Sequence, residues 1–202
     1  MRRKSTRGKN PWADHYTRQA QKEHFPARSV YKLKEIQQKY RLIKRGDRVL
    51  DLGCAPGSWL LYAAEIAGPD GLVVGIDLKP VTVQLPANAR FYAGDIETVT
   101  AAFEQAGEVG RFDVVLSDMA PATIGHKATD AVRSLHLCEA ALDIVHTRLV
   151  PGGNFATKIF QGPDFKTYSD KVKAGFRQVK IYKPQSSRKA SKEIYIIGTG
   201  KL

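Results

Sequence analysis

The stretch Arg48-Val-Leu-Asp-Leu-Gly-Cys-Ala-Pro-Gly57 sets one carboxylate, Asp51, just ahead of a turn containing Gly53, Pro56 and Gly57. Glycine lets the backbone approach a ligand closely. A helix starting after the turn would offer free N–H groups to an anion such as a carboxylate. Twenty residues past Gly57 stands Asp77, at the end of a second apolar run, Gly71 to Ile76. An acid at that place suits a ribose diol, because one carboxylate can accept two hydroxyl hydrogens. The glycine spacing is Gly53-x-x-x-Gly57 rather than Gly-x-Gly-x-x-Gly, and an acid at Asp51 serves a dinucleotide pyrophosphate poorly. It serves the α-amino group of S-adenosylmethionine well. A plain tight turn would explain the glycines alone; Asp51 and Asp77 in register with them favour the cofactor.

Further residues could do chemistry at the same level of the fold. Asp118 closes the apolar run Val114-Val115-Leu116 and precedes Met119-Ala120-Pro121. Asp95, in Ala93-Gly94-Asp95, is either a ligand or the N-cap of a helix over 96–106. Lys158 lies inside the apolar run Phe155 to Phe160, where an unpaired charge is costly to bury; it is a functional group or half of a structural ion pair. Lys32 falls in the first turn of a helix opened by Ser29, where a cation opposes the helix dipole. On its own Lys32 reads equally as a surface residue.

The pattern around these residues alternates strand and helix. Strands are expected at 48–52, 71–77, 89–93, 112–117, 153–160, 178–183 and 193–199, and helices at 58–67, 96–106, 130–149 and 164–175. Such alternation builds an α/β fold, a mainly parallel sheet with helices on both faces and ligands beyond the carboxyl ends of the strands. The last two strands are joined by a segment too short for a crossover helix, so they should pair antiparallel. Ahead of the sheet, Asp14 reads as the N-cap of a helix that runs to His24 and is stopped by Pro26. The next helix carries Val30, Leu33, Ile36 and Gln37 on one face.

At 202 residues the chain suits one domain, with residues 1–12 as a basic flexible arm and 13–202 as the folded unit. Residues 1–48 hold 15 Lys/Arg against 4 Asp/Glu, residues 49–156 hold 6 against 13, and residues 157–202 hold 11 against 3. Basic ends around an acidic middle point to a polyanionic partner, whereas evenly solvated lysines would not segregate. No apolar run reaches membrane-spanning length, and no apolar stretch follows the basic N-terminus. Cys54 and Cys138 read as small core residues, and His126, His136 and His146 lack ligand spacing, so neither metal nor disulfide is expected. A reduced cytoplasmic setting follows from this reading, and a monomer is expected.

Together, Arg28-Ser29-Val30-Tyr31-Lys32-Leu33, Asp51-Leu-Gly-Cys-Ala-Pro-Gly57-Ser-Trp59, Ser117-Asp118-Met119-Ala120-Pro121, and Lys158 and Glu193 in late strands resemble the RrmJ/FtsJ family of ribose 2′-O-methyltransferases. The resemblance runs from Arg28 to the end of the chain. It implies a Rossmann-like, S-adenosylmethionine-dependent methyltransferase fold with a seven-stranded sheet and one antiparallel strand. Within the family the bacterial type, which methylates a uridine of 23S (large-subunit) ribosomal RNA, is nearest. The loop Pro121-Ala122-Thr123 departs from it by lacking an Asn after the proline.

By the resemblance, Lys32, Asp118, Lys158 and Glu193 form the catalytic set. Lys158 would act as base or hydroxyl-orienting group, Asp118 would position it, and Lys32 and Glu193 would orient the ribose. A lysine is a base only when neutral. Lys32 would push its pKa in that direction, while Asp118 and Glu193 push back. Cofactor contacts are implied for Asp51, Gly53, Gly57, Trp59, Asp77, Asp95 and Asp118: Gly57 and Trp59 at the methionine end, Asp77 at the ribose, Asp95 at the adenine amino group. Trp59 reads otherwise as a core residue. The expected partner is ribosomal RNA within the large subunit.

Three rival readings compete. An oxidoreductase would want the other glycine spacing. A non-catalytic RNA-binding module would not keep all four of Lys32, Asp118, Lys158 and Glu193. A methyltransferase of transfer RNA or an mRNA cap differs only in substrate. Arg2, Arg3, Lys4, Arg7 and Lys9 form the arm, and Lys180, Lys183, Arg188, Lys189 and Lys192 surround the last hairpin, both suited to phosphates. Deleting residues 1–9 should therefore weaken RNA binding and flatten its salt dependence. S-adenosylmethionine affinity, followed by calorimetry, should stay unchanged; a shift there would mean that the arm folds over the cofactor.

Overall fold

The computed structural model describes residues 11–96, 110–122, 125–188 and 190–202. Most of the expected N-terminal arm, nearly all of the helix expected over 96–106, Thr123 of the departing loop and Lys189 lie outside the described residues. Seven strands form one sheet: β1 (Arg48–Leu52), β2 (Leu72–Asp77), β3 (Ala89–Ala93), β4 (Phe112–Ser117), β5 (Leu149–Phe160), β6 (Phe176–Tyr182) and β7 (Glu193–Lys201). Their order is β3-β2-β1-β4-β5-β7-β6. All neighbours are parallel except β7, which runs antiparallel to both β5 and β6. The described helices are α1 (Pro11–Lys22), α2 (Val30–Tyr40), α3 (Ser58–Ala67), α4 (Lys127–Arg148) and α5 (Phe165–Gly175).

The central strands are largely apolar because both faces are covered. Successive residues feed opposite cores. Leu50, Leu52, Val115 and Ile196 pack with Cys138, Leu142, Tyr168 and Val172 of α4 and α5. Val49, Val73, Val114, Ala156, Tyr195 and Ile197 pack with Leu33 and Ile36 of α2 and Leu60 of α3. Asp51, Gly75, Leu116, Lys158 and Tyr195 keep step with the second set, so all five belong to the α2–α3 face. The register sets Asp51 between Gly75 and Leu116, and Lys158 opposite Tyr195. That alignment collects the polar residues at the carboxyl edge, on one side of the sheet.

Some expected boundaries shift for identifiable reasons. α1 starts at Pro11, so residues 11 and 12 are helical and Asp14 lies inside the helix instead of capping it. Proline suits a first helical position, where its missing N–H costs nothing. Ser29 does precede α2, but its side chain makes no cap bond. Bonds from Val30, Tyr31 and Lys32 N–H to the carbonyls three residues earlier lead into the helix, a 3₁₀-like entry. β5 begins at Leu149 rather than 153, because a register shift between Phe112 and Val114 absorbs the turn-like Pro151-Gly152-Gly153 and pairing resumes at Asn154.

Gly75 shows how tightly the sheet meets the glycine turn. A Cβ there would lie 2.7 Å from Cys54 Sγ and 2.9 Å from Leu60 Cδ1. Gly75→Ala should therefore lower unfolding stability by about 1–3 kcal/mol, as overpacking does. Urea denaturation checks it, and an unchanged midpoint would mean that the turn yields freely.

Candidate active site

The turn from β1 to α3 is held open by backbone geometry. Gly53 has φ +77° and Gly57 φ +111°, conformations that L side chains rarely adopt. At Gly53 a Cβ would also stand 2.6 Å from Met119 Cγ. The Gly53 N–H donates to the Ile76 carbonyl (2.8 Å), tying the turn to the end of β2. Asp77 completes the tie: one carboxylate oxygen accepts from Ala55 N (2.9 Å) and the other from Lys79 N (2.8 Å). Each oxygen keeps a second lone pair, so Asp77 can hold the turn and still receive hydroxyls. Asp95 lies two residues beyond Ala93, which pairs with Asp77, and it is exposed. Its alternative as a helix cap concerns 97–106, outside the described residues.

Asp51 is fully buried, and neither carboxylate oxygen has a hydrogen-bond partner. Burial, then the charges of Asp118 and Asp77, push its pKa well above the usual carboxylate range. An enclosed, unpartnered carboxylate is costly unless a donor meets it, and an ammonium group has the chemistry to do so. The first-turn N–H groups of α3 have no intrahelical acceptor and face the same turn, where they suit a carboxylate. Ammonium and carboxylate acceptors, with Asp77 placed for a diol, fit S-adenosylmethionine. Trp59 enters this set only through its backbone N–H. Its side chain is 2% exposed, donates from Nε1 to the Ser29 carbonyl (2.8 Å) and stacks on Tyr195 at 5.8 Å between centroids.

Next to the cradle the structure brings Lys32, Asp118, Lys158 and Glu193 together. Lys158 Nζ lies 3.0 Å from Asp118 Oδ1 and donates to the Asp118 carbonyl at 2.5 Å. Lys32 Nζ lies 2.8 Å from Glu193 Oε1, which answers the unfavourable place of Lys32 in its own helix with a charge from β7. The Lys158 side chain is only 6% exposed. Antiparallel pairing of β5 with β7 sets Lys158 opposite Tyr195 and Phe160 opposite Glu193, so Lys158 and Glu193 are diagonal neighbours on one face.

Tyr195 is the functional neighbour that sequence reasoning missed. Its hydroxyl donates to Asp118 Oδ1 at 2.6 Å, and Lys32 Nζ stands 6.0 Å above its ring. Burial, then Asp118 and Glu193, push the Tyr195 phenol well above its usual range, so it remains a donor. Burial raises the Asp118 pKa, but Lys158 and Lys32, with the Tyr195 bond, outweigh it and hold the carboxyl below its ordinary value. Asp118 thus stays ionised at neutral pH. The signal for Tyr195 was its spacing: two residues from Glu193 in a strand means the same face.

Lys158 Nζ uses two of its three directions on Asp118, which leaves one for a ligand. A hydroxyl placed there can be oriented and can lose its proton. Cys54 and Cys138 are both buried and free, and among the described residues no group of His, Cys, Asp or Glu could hold a metal ion.

Comparison with known proteins gives concordant findings. The family model FtsJ-like methyltransferase matches residues 25–201. A curated relative from Desulforapulum autotrophicum, Ribosomal RNA large subunit methyltransferase E, is 58% identical over 194 residues, covering 96% of this chain and 95% of the relative. One of the same name from Desulfosudis oleivorans is 52% identical over 201 residues, covering 100% of this chain and 96% of that one. Among solved structures, a Plasmodium falciparum chain described as a ribosomal RNA methyltransferase superposes with a TM-score of 0.78. It is 27% identical, over 88% of this chain and 99% of that one. Fibrillarin from Aeropyrum pernix, solved with S-adenosyl-L-methionine bound, shares the fold at a TM-score of 0.59 and 18% identity, over 78% of this chain and 68% of that one.

The orphaned Asp51 generates a pH-dependent prediction. Its folded pKa lies above the unfolded value near 3.8, so the folded chain binds more protons and stability falls as pH rises from that value through the folded pKa. Asp51→Asn should abolish this slope, equalling the parent at low pH and exceeding it at neutral pH. The same change should weaken S-adenosylmethionine binding about tenfold or more, since a charge-assisted hydrogen bond contributes roughly 1.5–3 kcal/mol. Urea titrations between acid and neutral pH, with calorimetry of cofactor binding, check both. A variant less stable at neutral pH would reveal a partner for Asp51.

Proposed function

The chain belongs to the FtsJ-like methyltransferase family, and from that premise we propose that it methylates the ribose 2′-oxygen of a uridine in 23S ribosomal RNA, using S-adenosylmethionine, on the assembled large subunit. The observation that carries the reading is the meeting of Lys32, Asp118, Lys158 and Glu193 beside a cradle whose Asp51 lacks a partner.

When bound, the cofactor supplies an electrophilic sulfonium methyl group. Asp51 would receive its ammonium, Gly53, Gly57 and the Trp59 backbone N–H would line its methionine end, Asp77 would take the ribose hydroxyls and Asp95 the adenine amino group. Asp118, named for both sets, is held by Lys158 and Tyr195 and so fixes Lys158 at the border between cofactor and acceptor. Lys158 Nζ would orient the 2′-hydroxyl or act as the base that takes its proton. The ion pair of Lys32 with Glu193 flanks the ribose, one donating to and one accepting from its hydroxyls. Alignment of a held hydroxyl in a buried site is itself a large part of such catalysis.

The RNA partner is supported by charge. Lys180, Lys183, Arg188 and Lys192 are exposed around the β6–β7 hairpin, where they suit phosphates in a sequence-independent way. We propose a monomer that needs no metal and works in the cytoplasm. Among the described residues the exposed large hydrophobics, Leu78, Val132, Ile181 and Leu202, sit on separate segments, and scattered single residues are ordinary surface. Among the described residues no helix is long and apolar enough to cross a membrane.

Labelled methyl transfer to large subunits from cells lacking the protein, to naked ribosomal RNA and to transfer RNA tests the reading. Label is expected in a 2′-O-methyluridine of the subunit. Label in transfer RNA alone would move the substrate, and none with cofactor bound would sink the enzyme reading. Lys158→Ala should keep cofactor affinity and lose about a hundredfold or more in rate, the scale of positioned proton transfer. Lys158→Met, which fills the space and still lacks the nitrogen, should lose as much; full activity in either variant would overturn the assignment.

A further inference from the structure

Arg28 lies in the turn leading into α2, four residues before Lys32. Its Nη1 is enclosed and has no hydrogen-bond partner, and the guanidinium as a whole makes no ion pair among the described residues. Arg28 as a whole is half-buried. A guanidinium kept for the fold alone would be expected to meet a carboxylate, because a partly buried charge without one is costly. The carboxylate nearest in effect, Glu193, is already bonded to Lys32.

A second guanidinium points to the same place. The Arg188 carbonyl accepts from Ser191 N (2.8 Å), the Ser191 hydroxyl accepts from Glu193 N (3.2 Å), and Glu193 is ion-paired with Lys32, one helical turn past Arg28, so the backbone of Arg188 lies at the same end of α2; after burial, the Arg188 charge depresses the Arg28 pKa. Arg188 is exposed and is delivered by the turn that follows β6. Glu35, two helical turns past Arg28, fixes that turn. Its carboxylate accepts from Tyr182 Oη (3.0 Å), Gln185 N (2.6 Å) and Ser186 N (2.8 Å). The turn also carries Ser186 and Ser187, 3% and 4% exposed, whose hydroxyls have no partner. Arg28 and Arg188 thus bring guanidinium donors beside the Lys32–Glu193 pair. Guanidinium forks match the two free oxygens of a phosphodiester.

We propose that Arg28 and Arg188 together dock a single phosphodiester of the RNA next to the acceptor ribose, with Glu35 setting the position of Arg188. The site rests on the RNA 2′-O-methylation reading and deepens it: basic hairpin residues attract the strand anywhere, whereas this pair places one phosphate and so places one ribose at Lys158.

Arg28→Met, Arg188→Gln and the double variant test it on the RNA acceptor that the parent methylates. Each single change should raise the acceptor KM about tenfold, far more than it lowers kcat, and should flatten the log–log salt dependence of RNA affinity by about one contact. The double variant should be little worse than either single one, because one phosphate is lost only once. A methylphosphonate walked along the RNA should find one linkage beside the target whose neutralisation costs the parent about tenfold and the double variant nothing. Binding of S-adenosylhomocysteine should not move, and Arg28→Met should unfold no earlier than the parent, which separates docking from a structural role. Additive losses, no sensitive linkage, or an Arg28→Met variant that is less stable with unchanged KM would overturn the site. In those cases the parent still methylates the RNA and the functional reading stands. A parent that binds cofactor and methylates no RNA would defeat both.

Discussion

The buried ion pair between Lys158 and Asp118 is the constraint around which the site is arranged. Breaking such a pair costs about 3–5 kcal/mol, because the surviving charge is left in a low-dielectric place. The pair joins the residue just past the end of β4 to one near the end of its parallel neighbour β5, and is closed by Tyr195 from β7. Each strand must therefore keep its register. A slip of one residue in β5 would turn Lys158 to the α4–α5 side and leave Asp118 facing an apolar core. The antiparallel β7 is equally required. Only an oppositely directed strand on the far side of β5 offers Glu193 and Tyr195 to the carboxyl edge while its own chain leads away from it.

Two carboxylates on that edge show how partners divide the labour. Asp118 is compensated by Lys158, Tyr195 and Lys32 and is held ionised; Asp51, on the same face, is compensated by nothing and is pushed toward its neutral form. The uncompensated acid sits beside the glycine turn, where a cationic ligand would relieve it, and relief that exists only in the bound state becomes binding free energy. The compensated one sits at the acceptor side, where it must stay fixed through the reaction. The charge pattern of the chain repeats this division on a larger scale. Its acidic middle suits a cationic cofactor and its basic ends suit a polyanion.

Much of this frame was legible in the residues. The strand, glycine turn and helix around Asp51 have the expected bounds, because a short apolar run, two glycines and an apolar helix admit one arrangement. β7 could be foreseen as antiparallel from the length of the connection alone. Periodicity reports which face of an element is buried, however, and not which partner covers it. Trp59 was legible as a large apolar residue, but its bond to the Ser29 carbonyl joins residues thirty positions apart. Nothing local in the sequence marks Glu35, which holds a turn about 150 residues downstream. Asp14 failed as a cap for a local reason: proline three residues earlier was an equally good start, and local signals compete.

Those long-range bonds also explain how an outer helix comes to hold a residue of the acceptor site. Lys32 belongs to α2, which lies on the sheet rather than in it, so its position depends on what anchors the segment before it. Both anchors are the first residues of α3. Ser58 accepts from Ala27 N at 2.8 Å and donates to the Ala27 carbonyl at 3.0 Å, and Trp59 donates to the carbonyl of Ser29. At the other end, Lys34 sits 4.7 Å above the Phe25 ring and 5.4 Å from those of Tyr31 and Tyr62, and is paired with Glu23. The turn that cradles the cofactor therefore also fixes the segment that carries Arg28 and Lys32. The spacing between the Asp51 turn and the segment carrying Lys32 is therefore set by two residues of one helix turn.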